Sequence, residues 1–148
     1  MCIRDSLNGA SFAIALIDLD HFKSINDRFG HLGGDDVLRE IGRRLKNELR
    51  TGECAGRYGG EELVLILPDE TRSPAARTQQ LHAAMVGAPI PVEGSSIAVT
   101  CSIGVSWYRP GDTSETLLRR ADQCLYIAKN SGRDRIELEP HHDWAKVS

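Results

Sequence analysis

Apolar and polar positions divide the first part of the chain into one strand-like run followed by two helix-like runs. Residues 12–19, FAIALIDL, are almost continuously apolar, which predicts a strand that is buried on both faces. Residues 21–30, HFKSINDRFG, place apolar side chains at helical intervals and end on glycine, which predicts a short helix. Residues 35–49 repeat apolar positions every three or four residues among basic ones, which predicts an amphipathic helix over a sheet.

A glycine pair separates the next two strand-like runs. Residues 54–58, CAGRY, and residues 62–68, ELVLILP, flank Gly59 and Gly60, with Glu61 at the tip. Consecutive glycines supply the positive φ angles of two-residue hairpins. We therefore predict two antiparallel strands joined by a tight turn.

The remaining pattern predicts two helices and two strands. Residues 74–86 read as a helix after a proline, and residues 97–107 alternate like a strand. Residues 114–132 open with a capping-box pattern and close on glycine, as a helix does, and residues 135–138 form a final short strand. The long connection, residues 87–96, is rich in proline, glycine and serine. This order of elements predicts an α+β fold with a mostly antiparallel sheet flanked by helices, and not a doubly wound parallel sheet.

Composition adds limits to this picture. A length of 148 residues with 41% hydrophobic and 26% charged residues suits one soluble globular domain. No apolar run approaches the roughly 20 residues that span a bilayer, and the start MCIRDS lacks a signal-peptide core, so we expect a cytoplasmic protein without membrane contact. A net charge of -3 argues against a nucleic-acid polymer as partner, and the four cysteines lack the spacing of a zinc site.

The end of the first predicted strand carries two acids. Asp18 and Asp20 would point to one face if the strand stays extended, although either acid could instead cap the following helix. Asp18 directly follows apolar residues, where an ionised carboxylate is costly without a cation or partner. If the strand that starts near Glu61 pairs beside the first strand, then Asp18, Glu61 and Glu62 converge. Such clustered oxygen ligands suit Mg²⁺ with a bound nucleotide, and carboxylate-held cations are used in phosphoryl transfer.

Basic and polar residues elsewhere bear on the same hypothesis. Lys129 and Arg133 lie four residues apart near a predicted helix end, where they either interact with the helix dipole or bind phosphates. Asp35 is either a helix cap or an acceptor for the two N–H groups on the guanine edge, and the amide of Asn26 can bond the neighbouring guanine acceptors. With a triphosphate site nearby, the nucleotide reading is favoured and the base would be guanine.

Four segments carry a resemblance to a known family. They are IDLDHFKSINDRFGHLGGDDVL, RYGGEELVLILP, VTCSIGVS and LLRRADQCLYIAKNSGRDRI, and they resemble the successive motifs of GGDEF domains, the diguanylate cyclases. The resemblance covers residues 12–137, and it leaves residues 1–11 as a lead without family motifs and residues 138–148 as a polar tail. It implies the palm-like fold of nucleotidyl cyclases, with a mostly antiparallel five-stranded sheet. The implied reaction condenses two GTP molecules into cyclic di-GMP with release of two pyrophosphates.

The resemblance also implies roles for individual residues. Asp18 and Glu61, with the backbone carbonyl of Leu19, would ligate Mg²⁺ or Mn²⁺, and Glu62 would complete the signature carboxylate pair. The residues implied in GTP binding are Asn26 and Asp35 for guanine, the backbone of His21 and Phe22 with Lys129 and Arg133 for the β- and γ-phosphates, and Lys23 for the charge that develops on them. The two-fold symmetric product implies a homodimer in which two domains face each other.

The chain departs from the family pattern at three places. The signature ends in Leu63 where phenylalanine is usual, which predicts altered packing beneath the hairpin. The product-inhibition motif Arg-x-x-Asp is replaced by RTGE, with Arg50 and Glu53, so we predict feedback inhibition that is present but weakened. The usual lead-in is missing, which is typical of a fragment without its sensor. The alternative function is a catalytically silent module that binds GTP or cyclic di-GMP.

Overall fold

The elements follow the predicted order, with one added hairpin. The structure, a computed structural model, describes residues 12–68 and 73–140. Its helices and strands are β1 (Phe12–Leu19), α1 (Phe22–Glu48), β2 (Cys54–Arg57), β3 (Glu62–Pro68), α2 (Pro74–Val86), β4 (Ile90–Val92), β5 (Ser95–Ile97), β6 (Cys101–Trp107), α3 (Ser114–Asn130) and β7 (Ile136–Leu138). None of the helices in the described ranges is long and apolar enough to cross a membrane.

The main sheet has five strands in the order β2-β3-β1-β6-β7. Pairing is antiparallel except between β6 and β7, which run parallel. β4 and β5 form a separate antiparallel hairpin. The predicted α+β architecture, with a mostly antiparallel five-stranded sheet and flanking helices, is confirmed.

Strand β1 lies at the centre of the sheet and is buried along its whole length. Because side chains alternate along a strand, Ala15 and Ile17 join the core formed with α1 and α2, whereas Ile14 and Leu16 join the core beneath α3. The sheet therefore has α1 and α2 on one face and α3 on the other, as its continuous apolar sequence predicted.

Helix α3 approaches β6 very closely at Gly104. A Cβ atom at this position would lie 2.2 Å from the carbonyl oxygen of Ala121 and 2.3 Å from the backbone nitrogen of Leu125. Such distances are far below van der Waals contact, so only glycine allows this separation of helix and strand.

Helix α1 consists of two helical segments on either side of a kink at Gly30, as the sequence predicted, but its second segment begins before residue 35. Only Gly30 leaves helical geometry, with φ 75° and ψ 175°, and the segment from His31 to Gly34 is already helical. Asp35 therefore lies inside the helix, and its predicted alternative as a cap is wrong. A positive φ at one glycine is enough to redirect the chain without a loop.

One turn prediction and one strand prediction also fail. Gly59 and Gly60 are absent from the residues with positive φ, and the connection between β2 and β3 closes when the backbone N–H groups of Tyr58 and Gly59 donate to the carbonyl of Glu62. The two-residue positive-φ turn occurs instead at Glu93 and Gly94, between β4 and β5. The predicted strand over residues 97–107 is thus divided, since its first residue belongs to this hairpin and β6 starts at residue 101.

Candidate functional site

The pairing of β1 with β3 brings the predicted acids together. Asp18 lies directly opposite Glu62 in the antiparallel register, and the backbone N–H of Leu19 donates to the carbonyl of Glu61 at 3.4 Å. Asp18 lies an even number of residues from Ile14 and Leu16 along the strand, so its side chain is on the same face, the one covered by α3. The ends of the two strands therefore hold three carboxylates within electrostatic range of one another.

The positive charge near these carboxylates is too small to compensate their negative charges. Burial raises the pKa of Asp18, hydrogen bonding and charge from Lys129 oppose the rise, and the charges of Glu61 and Asp20 add to it. Burial likewise raises the pKa of Glu62, and the charge of Asp18 raises it further. The Nζ atom of Lys129 donates to Oδ2 of Asp18, yet this one ammonium does not bring either pKa down to its ordinary value.

The donor set fits a divalent cation, although the side chains are not gathered around one. Within residues 12–68 and 73–140, no group of three or more Asp, Glu, His or Cys side chains is close enough to hold a metal ion as it stands. Carboxylate oxygens are the hard ligands that Mg²⁺ prefers, and a divalent ion would relieve the charge that raises the pKa values of Asp18 and Glu62. Asp18, Glu61 and Glu62 are the residues that would hold it.

Asp20 has a different surrounding from Asp18, although it lies only two residues away. Its carboxylate accepts hydrogen bonds from Thr100 Oγ1 at 2.7 Å, Ser102 Oγ at 2.6 Å and the backbone N–H of Asp134 at 2.9 Å. The residue is 4% exposed. His21, and not Asp20, occupies the cap position of α1, so the alternative in which Asp20 caps this helix is wrong.

The first turn of α1 offers free backbone donors. His21 adopts φ 56° and makes no side-chain capping hydrogen bond, and the first turn contains no acidic residue. The N–H groups at the start of a helix lack intrahelical partners and attract anions. Phe22 is buried at this helix start, and Lys23 is exposed beside it. The arrangement suits phosphate oxygens.

Asn26 presents an acceptor without a partner. Its Oδ1 atom is buried and has no hydrogen bond in the described part of the chain. A Cβ atom at Gly34 would lie 1.9 Å from this oxygen, so glycine is required there for the amide to keep its place. Asp35 follows Gly34 and is exposed. Two oxygen acceptors are therefore available to a ligand that carries N–H donors.

A cavity of about 730 Å³ lies between the second part of α1 and strands β2 and β3. Asp35, Leu38 and Leu63 line it together with basic residues of α1 and β2, which are Arg39, Arg43, Lys46 and Arg57. Leu63, the departure in the signature, thus lies at the wall of this cavity and also in the core under α1.

The two predicted phosphate-binding side chains lie at and beyond the end of α3. Lys129 is half-buried and is engaged with Asp18. Arg133 is exposed, has φ 60°, and donates its backbone N–H to the carbonyl of Ala128 at 3.1 Å. The structure brings Lys129, and not Arg133, into contact with the acidic group.

Arg50 and Glu53 belong to a separate corner of the molecule. Both oxygens of Glu53 accept hydrogen bonds from Arg77, at 2.8 and 2.7 Å, and one also accepts from the backbone N–H of Arg50 at 2.8 Å. The side chains of Arg77 and Glu53 are 5% and 3% exposed. Burial would raise the pKa of Glu53, but the hydrogen bonds and charge of the two arginines outweigh it, so the pKa is lowered.

Sequence reasoning missed Arg77, although a signal was present. Arg77, Leu81 and Met85 recur at four-residue spacing along α2, and the two apolar members are fully buried. An arginine on such a stripe needs a buried acid. Glu53 is that acid.

Comparisons with known proteins agree with this geometry. The family model described as "Diguanylate cyclase, GGDEF domain" matches residues 3–135. Diguanylate cyclase DgcP of Pseudomonas aeruginosa is 42% identical over 91% of this chain and 20% of its own length, and response regulator PleD of Caulobacter vibrioides is 44% identical over 90% and 30%. The chain thus spans about a fifth to a third of the length of these curated relatives.

Solved structures give the same result. Diguanylate cyclase SiaD of Pseudomonas aeruginosa, solved with its activator SiaC, has a TM-score of 0.83 and 38% identity over 91% of this chain and 53% of that one. The GGDEF domain of DgcB from Caulobacter crescentus, solved with c-di-GMP, has a TM-score of 0.82 and 30% identity over 93% and 82%. With a family model that matches most of its length, the chain belongs to the GGDEF domain family.

Proposed function

We propose that this chain is the catalytic domain of a diguanylate cyclase, which converts two GTP molecules into cyclic di-GMP and two pyrophosphates. The observation that carries the proposal is the register that sets Asp18 opposite Glu62, with Glu61 adjacent and with pKa values raised at Asp18 and Glu62. Such uncompensated acids favour a site that is completed by a ligand. The names of the curated relatives supply the reaction class.

The chemistry requires two nucleotides and two domains. In each of two steps, the 3′-hydroxyl oxygen of one GTP bonds to the α-phosphorus of the other and releases its proton to solvent, and the bond from that phosphorus to pyrophosphate breaks. One domain holds one GTP, so both steps need a second copy of the domain across a two-fold axis. We therefore propose a homodimer as the active form.

Asp18, Glu61 and the carbonyl of Leu19 are the proposed ligands of Mg²⁺ or Mn²⁺, with Glu62 as the second acid of the pair. When bound, the cation supplies positive charge to the reacting phosphates. The register favours Glu62 as strongly as Glu61, because Glu62 is the direct cross-strand neighbour of Asp18.

The proposed phosphate contacts come from both ends of the site. The uncapped start of α1 offers the backbone N–H groups at His21 and Phe22, and Lys23 is exposed beside them. Lys129 and Arg133 provide cations from the end of α3. Because Lys129 is engaged with Asp18, the proposal requires its ammonium group to transfer from that carboxylate to the phosphates.

Guanine is the proposed base because of what Asn26 and Asp35 offer. The buried Oδ1 atom of Asn26 has no partner in the described residues, and Asp35 is exposed nearby. Guanine presents adjacent N–H donors that can satisfy such acceptors, whereas a buried acceptor left alone is costly.

The test is direct. The chain, held as a dimer by a fused leucine zipper, is incubated with GTP and Mg²⁺, and its nucleotides are separated by chromatography. We expect cyclic di-GMP from the unaltered sequence and none from Glu61→Ala. If the unaltered sequence makes no more product than this variant, the cyclase proposal is wrong.

A silent nucleotide-binding module is the second candidate. It is favoured by Leu63 in the signature and by the engagement of Lys129 with Asp18. GTP binding without product in the same experiment would select it.

We also propose that product inhibition is weakened. Arg50 is exposed, but both oxygens of Glu53 are already bound to Arg77. A guanine edge would have to compete with a buried bidentate pair. Added cyclic di-GMP should lower the initial rate only at high concentration, and Arg50→Ala should abolish that response; an unchanged response in the variant would exclude this site.

A further inference from the structure

The loop that follows α3 is held in an unusual backbone conformation. Gly132, Arg133 and Asp134 have consecutive positive φ angles of 120°, 60° and 47°. Left-handed conformations are costly for residues other than glycine, and they persist where surrounding contacts hold them. The anchors of this loop therefore determine where Arg133 lies.

The first anchor comes from the sheet. The carboxylate of Asp20 accepts the backbone N–H of Asp134 at 2.9 Å, while the hydroxyl groups of Thr100 and Ser102 fix the same carboxylate from β6 and the residue before it. Arg135 adds a backbone bond when its carbonyl accepts the N–H of Ile103 at 2.9 Å. These hydrogen bonds hold the loop against β6 and against the end of β1, the strand that carries Asp18.

The second anchor comes from α2. Nε2 of His82 lies 3.0 Å from Oδ1 of Asp134 and 3.2 Å from the carbonyl oxygen of Cys101. Both neighbours are acceptors, so Nε2 carries the proton and donates to them. His82 therefore ties the Asp134 side chain to β6, while Asp20 ties its backbone.

The guanidinium group of Arg133 itself has no hydrogen bond or ion pair with another described residue. Its direction is set by the backbone of the loop alone. The two neighbours of Asp134, Asp20 and His82, belong to β1's end and to α2, and neither lies on the helix that carries Lys129.

We propose that Asp20 and His82 are positioning residues, which hold the loop from Gly132 to Arg135 so that Arg133 meets the terminal phosphates of GTP. This inference rests on the proposed function, because Arg133 has that role only if GTP binds here. It assigns Asp20 an anchoring role that differs from that of Asp18, and it gives His82 a part in substrate binding.

The experiment compares GTP with GMP, each titrated with Mg²⁺ into the unaltered chain and into His82→Ala. Loss of one hydrogen bond should weaken GTP binding about three- to tenfold. GMP binding should stay within about twofold, because GMP lacks the phosphates that Arg133 would contact. His82→Gln can still donate to Asp134 and should recover most of the GTP affinity, and the matched control Gln79→Ala, exposed on the same helix, should change neither value.

Each outcome decides the matter. An equal loss for GTP and GMP would show a general structural effect and would overturn the inference, as would unchanged GTP binding. If the unaltered chain binds GTP no more tightly than GMP, the proposed function fails and the inference fails with it. Should His82→Ala not fold, Asp134→Gly removes the acceptor of the His82 hydrogen bond in a residue type that tolerates the left-handed conformation, and it should give the same selective loss.

Discussion

Glu53 and Asp18 are both acids with buried side chains, but the protein balances their charges differently. Glu53 accepts two hydrogen bonds from Arg77 and one from the backbone of Arg50, and its pKa is lowered despite burial. Among the residues that the structure describes, Asp18 has only Lys129 as a cationic partner; burial raises its pKa, and the neighbouring acids raise it further. Around Glu53 the chain itself supplies the compensating positive charge. Around Asp18 it leaves much of that charge to be supplied by a ligand.

The difference supports the proposed division between a structural acid, Glu53, and a ligand-binding acid, Asp18. A buried acid that is fully paired stabilises the fold, whereas a group of acids with raised pKa values is costly unless a ligand completes it. Glu53 and Arg50 were predicted to bind product, and the structure shows that the carboxylate of Glu53 already accepts hydrogen bonds from Arg77.

The largest expected effect on stability is at the buried pair of Arg77 and Glu53. Arg77→Met leaves Glu53 buried without its partner and should lower the free energy of unfolding by about 3 kcal/mol, measured by urea denaturation. The double variant Arg77→Met with Glu53→Leu should recover most of the loss, because no buried charge then remains.

Arg39→Met serves as the matched control for Arg77→Met. Arg39 pairs with Asp36, but the two side chains are 76% and 47% exposed. The control should change the unfolding free energy by no more than about 0.5 kcal/mol. An effect of Arg77→Met as small as that of the control would remove the distinction between Glu53 and Asp18.

An intermediate effect is expected on the side of the proposed nucleotide site, at Gly34. A Cβ atom there would lie 1.9 Å from Oδ1 of Asn26, so Gly34→Ala must displace the amide and should cost about 1–3 kcal/mol. GTP binding should weaken at the same time. Gly42 lies in the same helix, where an added Cβ meets nothing within 4 Å, so Gly42→Ala should instead stabilise by about 0.5–1 kcal/mol. Equal effects of the two substitutions would contradict this account of Asn26.

The smallest expected effect concerns Glu62 and pH. An acid whose pKa is higher in the folded than in the unfolded state favours folding at pH values below its unfolded-state pKa. This contribution to the free energy of unfolding is lost as the pH rises through the folded-state pKa. Glu62, with an ordinary value of 4.5, is such an acid, so its charge opposes folding at neutral pH in the absence of divalent ions.

Glu62→Gln should therefore stabilise the metal-free chain near pH 8 by about 0.5 kcal/mol, since solvent screens a partly buried charge. The gain should fade as the pH falls below about 4, where the carboxyl group becomes protonated in both states. Urea denaturation at several pH values measures it. A gain that stays constant with pH, or a loss of stability near pH 8, would show that Glu62 is not an uncompensated charge.

Local patterns were sufficient to predict much of the architecture. The continuous apolar run of residues 12–19 predicted β1 buried on both faces, and the apolar spacing predicted α2 and α3. The convergence of Asp18 with Glu61 and Glu62 followed once β1 and β3 were paired, because side-chain direction alternates along a strand.

The features that escaped prediction depend on distant parts of the chain. Asp20 binds Thr100, Ser102 and Asp134, which lie 80, 82 and 114 residues away, and no local pattern reports such contacts. Turn geometry was also misassigned, because the same residue type suits more than one backbone conformation. Glycine pairs permit positive φ but do not require it, and at Gly59 and Gly60 the chain does not use it.

The close approach of α3 to β6 at Gly104 has a consequence for how this site can evolve. The helix that delivers Lys129 to Asp18 is held at a distance set by backbone atoms, with no side chain between them to be exchanged for a slightly longer or shorter one. The distance between helix and strand therefore cannot change in small steps, because any replacement of Gly104 moves the helix and its lysine together. The backbone position of Lys129 relative to Asp18 is thus inherited as part of the fold, and substitution at Gly104 cannot adjust it gradually.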